Sequence, residues 1–284
     1  MKMLGLSLAA TLIASSTPAA EITPADLQQC LGVSHLAAPL AAIAADRAKA
    51  TAEEWATACR QAREADLRRR SAVSALLRTG TSPLRGWTSA ERFSKLSRTS
   101  PDADVAELFR RAARDQGARE SLSAEAQSQF AAGLSPLAVR LLRGLISNDA
   151  VAIDRENQAW LSAAVGRRGW FTISRDGASA DGAAWLIVQH GDQDRAFQKR
   201  MIAVLEPLAD RGETEPRRFP YLFDRWAAGA GELQRFGLQG ACVGPGEWRP
   251  SPMEDETGVD ARRRRLGLPT TLSEQVRQNS ARCP

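Results

Sequence analysis

Thr51 and Glu54 stand three residues apart at the head of a long stretch with helical apolar spacing, and they make a capping box for a helix running toward Leu77. Each side chain answers a backbone N–H that the first helical turn leaves unpaired. Trp55, Cys59 and Ala62 recur along this stretch and mark its inner face. Gly80 to Pro83 stops it. Thr23-Pro24 opens an earlier helix over Ala25 to Leu31, and Asp102 opens a later one with Val105, Leu108, Phe109 and Ala112 as its apolar stripe. Gly133-Leu134-Ser135-Pro136 is a stop followed by a start, leading into Leu137 to Ile146. Ser147-Asn148-Asp149 resets the chain ahead of a separate helix over Ala150 to Val165. Gly166 to Gly177 reads as a loop, and Ser179 starts a helix that ends at His190. Asp192 or Asp194 caps the next one, through Leu208, and Phe219-Pro220 starts a further one. After Gly231 the glycines and prolines leave room only for short strands or coil. The fold class is therefore mainly α: a multi-helix domain with an irregular C-terminal segment and a short β-hairpin near residues 235–250.

The first twenty residues have a different texture. Lys2 precedes the apolar run Met3 to Ala14 and the small-residue stretch Ser15 to Ala20, the pattern of a cleaved signal peptide. The run falls short of the ~20 residues a spanning helix needs, and no later segment reaches that length. These features predict a signal peptide over 1–20, a helical extension over 21–100 and a helical domain with an irregular wrap over 101–284, with the linker near residues 80–101. A periplasmic or secreted protein is expected, with no transmembrane segment. Cys30, Cys59, Cys242 and Cys283 form an even set, as disulfides in an oxidising compartment require. Three connectivities are open, and proximity favours Cys30–Cys59 and Cys242–Cys283. No C-x-x-C spacing is present, so neither a redox nor a zinc motif is expected.

The formal charge of +5 comes mostly from arginine. Arg68-Arg69-Arg70 and Arg262 to Arg265 are basic runs, but acids are interspersed and few aromatics lie near them. They read as solvated helix faces, and no nucleic-acid partner is expected.

The segment Gln189-His190-Gly191-Asp192-Gln193-Asp194 closes an apolar helix on which His190 shares a face with Ala183, Leu186 and Ile187. An inward imidazole beside amides and carboxylates must be hydrogen-bonded, so the segment predicts a buried polar network.

Several short patterns accompany it: Asp115-Gln116-x-x-Arg119, Asp154-x-x-Asn157, Gly169-Trp170, Gln189-His190-x-Asp192 ahead of Phe197-Gln198, Leu222-x-Asp224-Arg225, Gln234-x-Phe236-Gly237-x-Gln239 and Val259-Asp260-x-x-Arg263. In this order they resemble a bacterial family, domain-of-unknown-function family 6624, over about residues 104 to 272. Phe171 stands where that family has Pro after Gly-Trp, and Phe236 with Leu238 stands in place of its Tyr and Thr. The resemblance implies a domain class and a set of positions, and no reaction.

Converged, these groups would form a polar pocket between helices. In a catalytic reading His190 is the general acid or base, Asp192 or Asp224 orients it, and Arg225 answers developing negative charge. Gln189, Asp115, Arg119, Asp154, Asn157, Gln234, Gln239 and Arg263 then bind the ligand. No G-x-S-x-G is present and the cysteines read as paired, so water would be the nucleophile in hydrolysis or group transfer. A binding reading keeps the same groups for an envelope small molecule, peptide or glycan. A third has them fixing helix register in a structural protein. One histidine with carboxylates is a poor zinc set, so no metal or cofactor is expected. Each member also has an architectural use: Asp192 and Asp194 as N-caps, Asp115–Arg119 as an intrahelical pair, Arg225 on Asp260, His190 as a satisfied core residue. The sequence leaves enzyme status and oligomeric state open.

Overall fold

A computed structural model of the chain describes residues 21–38 and 40–284, so the expected signal peptide lies outside the described residues. The N-terminal helices are α1 (Pro24–Leu31), α2 (Leu40–Arg47), α3 (Ala52–Thr79) and α4 (Thr88–Thr99). In the centre lie α5 (Ala103–Glu120), α6 (Ala124–Phe130) and α7 (Pro136–Arg168). Then follow α8 (Ile173–Asp176), α9 (Ala178–Gln189), α10 (Arg195–Asp210) and α11 (Arg218–Ala230). Strands β1 (Gly240–Gly244) and β2 (Glu247–Pro250) form an antiparallel hairpin ahead of α12 (Val259–Arg265) and α13 (Leu272–Ser280). The mainly α class and the small C-terminal hairpin both match the sequence reading. Among the described residues no helix is long and apolar enough to cross a membrane.

Local chemistry sets most boundaries. Thr51 and Glu54 form the reciprocal capping box of α3, and Gly80, at φ 79°, ends it in the left-handed region that glycine adopts without a Cβ penalty. Ser135 caps α7 with Pro136 in its first turn, and Asp194 caps α10 through the Phe197 N–H at 2.8 Å. Disulfides join Cys30 to Cys59 and Cys242 to Cys283, the pairing that proximity favours. The first ties α1 to α3, and the second ties the hairpin to the C-terminus.

The chain departs from the sequence reading in several places. The stretch after Gly231, expected as strands or coil, also carries α12 and α13, and the expected loop Gly166–Gly177 contains the end of α7 and α8. The region expected as a linker contains α4, whose Phe93 is buried beside Val105, Leu108 and Phe109 of α5. The expected break at Ser147-Asn148-Asp149 is absent, and α7 runs through it as one helix of 33 residues, about 50 Å long at 1.5 Å per residue. Its polar residues serve distant partners instead of caps. The Asn148 side chain accepts from the Ala37 N–H and donates to the His35 carbonyl, while Asp149 accepts from Arg69 at 2.9 Å. Arg69, expected on a solvated face, is fully buried and also donates to Asp66.

Two apolar cores result. One gathers α1, α3, α6 and Leu137 to Ile146 of α7. The other gathers α5, α9, α10, α11 and Leu161 and Ala164 of the same helix. Between them α7 presents Asp149, Asp154, Asn157 and Gln158, a polar belt joining two hydrophobic regions.

Candidate functional site

Three helices meet at the polar belt. Asp115 and Arg119 lie one turn apart on α5, Asp154 and Asn157 lie at i and i+3 on α7, and His190 is the residue at which α9 ends. The His190 backbone N–H still closes the helix onto Leu186, which fixes the Cα while the ring crosses toward α5. There its Nδ1 lies 2.9 Å from Asp115 Oδ2. Asp115 is 1% exposed, so the carboxylate behind the ring is shielded from water. Gln116 also donates to Asp115 Oδ2, at 2.8 Å. Arg119 donates to Asp115 Oδ1 at 2.7 Å and, through Nη2, to both oxygens of Asp154 at 2.9 and 3.0 Å. One guanidinium thus spans two carboxylates from two helices, in the forked geometry that arginine supplies and lysine does not.

The electrostatics of the two acids differ. Burial pushes Asp115 upward, but the His190 hydrogen bond, the His190 and Arg119 charges and Gln116 outweigh it and hold Asp115 below the ordinary carboxylate value. Asp154 moves up, because burial and the neighbouring Asp115 charge prevail over Arg119. Asp115 therefore carries the charge that orients His190. With that carboxylate ionised, Nδ1 is the ring nitrogen that donates to it. Among the described residues Nε2 has no hydrogen-bond partner, although the side chain remains 15% exposed.

Asn157, one turn beyond Asp154 on α7, makes no hydrogen bond to Asp115, Arg119, Asp154 or His190. Its Oδ1 accepts from Arg111 at 3.3 Å, while its Nδ2 is buried without a partner among the described residues. Ligand atoms of Asp115, Asp154 and His190 lie within 4.8 Å of one another, close enough to hold an ion. Arg119 already occupies the carboxylate oxygens, so the cluster supplies its own cation.

The remaining sequence-nominated residues sort into other networks. Asp192 accepts from Arg225 Nε at 3.1 Å and through Nη2, from Arg195 at 3.3 Å and from Gln198 at 3.2 Å. Burial raises its carboxyl, but the Arg225 hydrogen bond and charge, with Gln198 and Arg195, bring it below the ordinary value. This network fastens the turn after α9 to α11. Arg225 is thus on Asp192 and not on Asp260, whose Oδ1 accepts from the Leu272 N–H. Asp224, fully buried, accepts from the backbone N–H groups of Arg235, Phe236 and Leu238 and folds the loop before the hairpin. Gly237, at φ 69°, supplies the left-handed step that aims the N–H groups on either side of it at one carboxylate. Burial raises Asp224 to about 6 despite those donors. Gln234 bonds the Gln239 and Ser251 carbonyls and accepts from the Gln239 N–H. Arg263, 1% exposed, holds the Phe236 and Thr270 carbonyls and the Gln275 side chain. Gln189 meets the Gln198 amide only through its backbone carbonyl, at 3.5 Å.

Two groups were given no role by the sequence: Asp181, which stands in none of the patterns, and Gln116, which stands in Asp115-Gln116-x-x-Arg119. Asp181 is fully buried and collects Trp170 Nε1, Thr214 Oγ1, the Glu215 N–H and Arg218, which pins the loop after α7. Gln116 supports Asp115 from the next position in the chain.

A family model described as "Family of unknown function (DUF6624)" matches residues 130–281. The match contains Asp154, Asn157 and His190, and it begins after Asp115 and Arg119. No curated protein and no solved structure matches the chain.

Proposed function

We propose, for a chain that belongs to the DUF6624 family and has no reaction attached to it by that membership, that His190 is the proton-transfer residue of an exported hydrolase or group-transfer enzyme. The single observation that carries this reading is the pairing of His190 Nδ1 with the shielded carboxylate of Asp115 while Nε2 stays unpaired. A buried carboxylate on one ring nitrogen fixes the tautomer and the ring plane, and its charge stabilises the imidazolium formed when the other nitrogen takes a proton. The nucleophile is water. Nε2 accepts its proton as the oxygen attacks an acyl, glycosyl or phosphoryl centre, and the imidazolium returns a proton to the leaving group. Arg119, on the same helix, and Asp154, on the neighbouring one, serve as positioning residues that hold Asp115 in place. Two disulfides support an oxidising compartment, so the substrate class is a small molecule, peptide or glycan of the cell envelope.

A binding role is the second reading, and one observation favours it: the buried, unpartnered Nδ2 of Asn157 is a donor that a ligand acceptor would satisfy. Incubation of the protein with a soluble envelope extract, followed by mass spectrometry of the small molecules, separates the two. The catalytic reading expects a species consumed by wild type and left intact by His190→Ala, with the thermal midpoint of the variant within about 4 °C of wild type. Recovery of a bound species unchanged from wild type supports binding instead. A drop well beyond that range, with nothing consumed or bound, assigns His190 to architecture.

A further inference from the structure

A second polar feature lies beside the His190 cluster and takes no part in it. A cleft of about 490 Å³ opens between α7 and the start of α10. Arg155, Gln158 and Ser162 line one wall at i, i+3 and i+7 on one helix face, and Gln193, Asp194 and Arg200 line the other.

Two observations set this cleft apart. Arg155 and Arg200 are exposed, and neither makes an ion pair or a side-chain hydrogen bond with the described residues. Arg63, Arg211 and Arg264 are likewise exposed without such partners among the described residues, so the pair counts here because both guanidiniums line one cleft. Gln158 is 6% exposed, and its Nε2 is buried with no partner among the described residues. Leaving an amide donor buried and unsatisfied costs about 1–3 kcal/mol, a cost that a bound acceptor removes. Two guanidiniums, an amide donor and the Ser162 hydroxyl, facing one cleft, are the donors an oxyanion requires. The N-terminal end of α10, a helix of 16 residues, adds a favourable dipole at the cleft's edge. Asp194 is the exception: its Oδ1 accepts the Phe197 N–H as the helix cap, and the carboxylate faces the cleft as an acceptor.

We propose that this cleft binds a phosphate monoester with a hydroxyl-bearing body. Arg155 and Arg200 take the phosphate from opposite walls, Gln158 and Ser162 donate to its oxygens, and the ligand's hydroxyls bond Asp194 and Gln193. The carboxylate argues against a bare anion, since it repels a second negative charge but accepts from a hydroxyl. The volume also exceeds what one phosphate fills. The site does not depend on proton transfer at His190.

Calorimetric titration at low ionic strength tests it, with glycerol 3-phosphate, glucose 6-phosphate, inorganic phosphate and glycerol as probes. At least one of the two esters binds wild type, and glycerol does not. Arg155→Ala and Arg200→Ala, both at exposed positions, each weaken the ester at least about tenfold, and the double variant abolishes binding. Gln158→Glu, which sets a negative charge against the phosphate, also abolishes it. Failure of both esters to bind, or unchanged affinity in the double variant, overturns the proposal. Inorganic phosphate bound as tightly as the better ester overturns the claim that an organic body is recognised.

Discussion

His190 Nδ1 and Asp115 Oδ2 are 2.9 Å apart although 75 residues separate them in the chain. The contact makes the imidazole's orientation a property of α5–α9 packing. Replacing Asp115 by Asn swaps an obligate acceptor for a side chain that also donates. We expect ¹⁵N spectra of wild type to show the neutral form of the His190 ring as a single Nδ1–H tautomer. The Asp115→Asn spectrum should contain a substantial Nε2–H population. His35 is the only other histidine and provides the internal reference. Identical spectra for the two proteins would remove the orienting role of Asp115.

Arg119 binds two carboxylates at once, so its loss is unlike the loss of a surface pair. Arg119→Leu leaves Asp115 and Asp154 facing each other in a buried setting and should cost about 3 kcal/mol in denaturant unfolding. Arg119→Lys recovers only part of this, because one ammonium cannot reproduce the fork. A further Asp154→Leu in the Arg119→Leu background removes one of the stranded charges and should regain stability. A cost below about 1 kcal/mol for Arg119→Leu would show that water already screens the cluster.

Asp115 and Asp224 make opposite contributions to the pH dependence of stability. Asp115 is held below its ordinary value of 3.8, so its contribution is present above that value and is lost as pH falls through the folded-state value. Asp224 is raised from 3.8 to about 6, so the folded protein carries a proton there that the unfolded chain has released. Its contribution is complete below 3.8 and is lost as pH rises to about 6. Relative to wild type, Asp115→Asn should therefore lose the most stability near neutral pH and the least in acid. Asp224→Asn should show its pH-dependent change between about 4 and 6, with the opposite slope. Denaturant melts across this range measure both slopes, and parallel profiles would contradict the assignment.

Arg69 is fully buried against Asp66 and Asp149, and it joins α3 to the middle of α7. Arg69→Met should destabilise by about 3 kcal/mol, because Asp66 and Asp149 lose their buried partner and keep only the half-exposed Arg70. The neighbouring Arg70→Met, at a half-exposed position, should cost less than about 1 kcal/mol. Equal costs at the two positions would mean that the arginine run acts only through its net charge.

Much of the helical frame was legible because caps are local. Thr23, Thr51, Ser135 and Asp194 each announce a helix with a side chain that bonds the first turn. The disulfides followed from chain proximity in the same way. The continuity of α7 did not, because Ser147-Asn148-Asp149 has the composition of a cap, and only tertiary partners such as Arg69 and Ala37 redirect it. The site was half legible. The spacings Asp115–Arg119 and Asp154–Asn157 nominate faces, but no spacing says which face meets which. Asp192 and Asp224 were the candidates the sequence offered to hold His190, and each has other partners. Asp192 takes guanidiniums, and Asp224 takes backbone N–H groups, which have no residue signature. The cleft at Arg155 and Arg200 was invisible for a related reason: an arginine's lack of a partner can be seen only once the partners of the others are known.

The sharing of α7 between two cores bears on any attempt to shorten the protein. A fragment trimmed to the family-matched residues 130–281 would retain all of α7 while shedding α1 to α5 and all of α6 but Phe130. Leu137, Leu141 and Leu145 would then be bared to solvent, a greasy stripe that invites self-association. The same cut would discard Asp115 and strand the imidazole without its carboxylate. The stretch upstream of the matched residues is therefore no detachable appendage: excising it would ruin solubility and dismantle the dyad together.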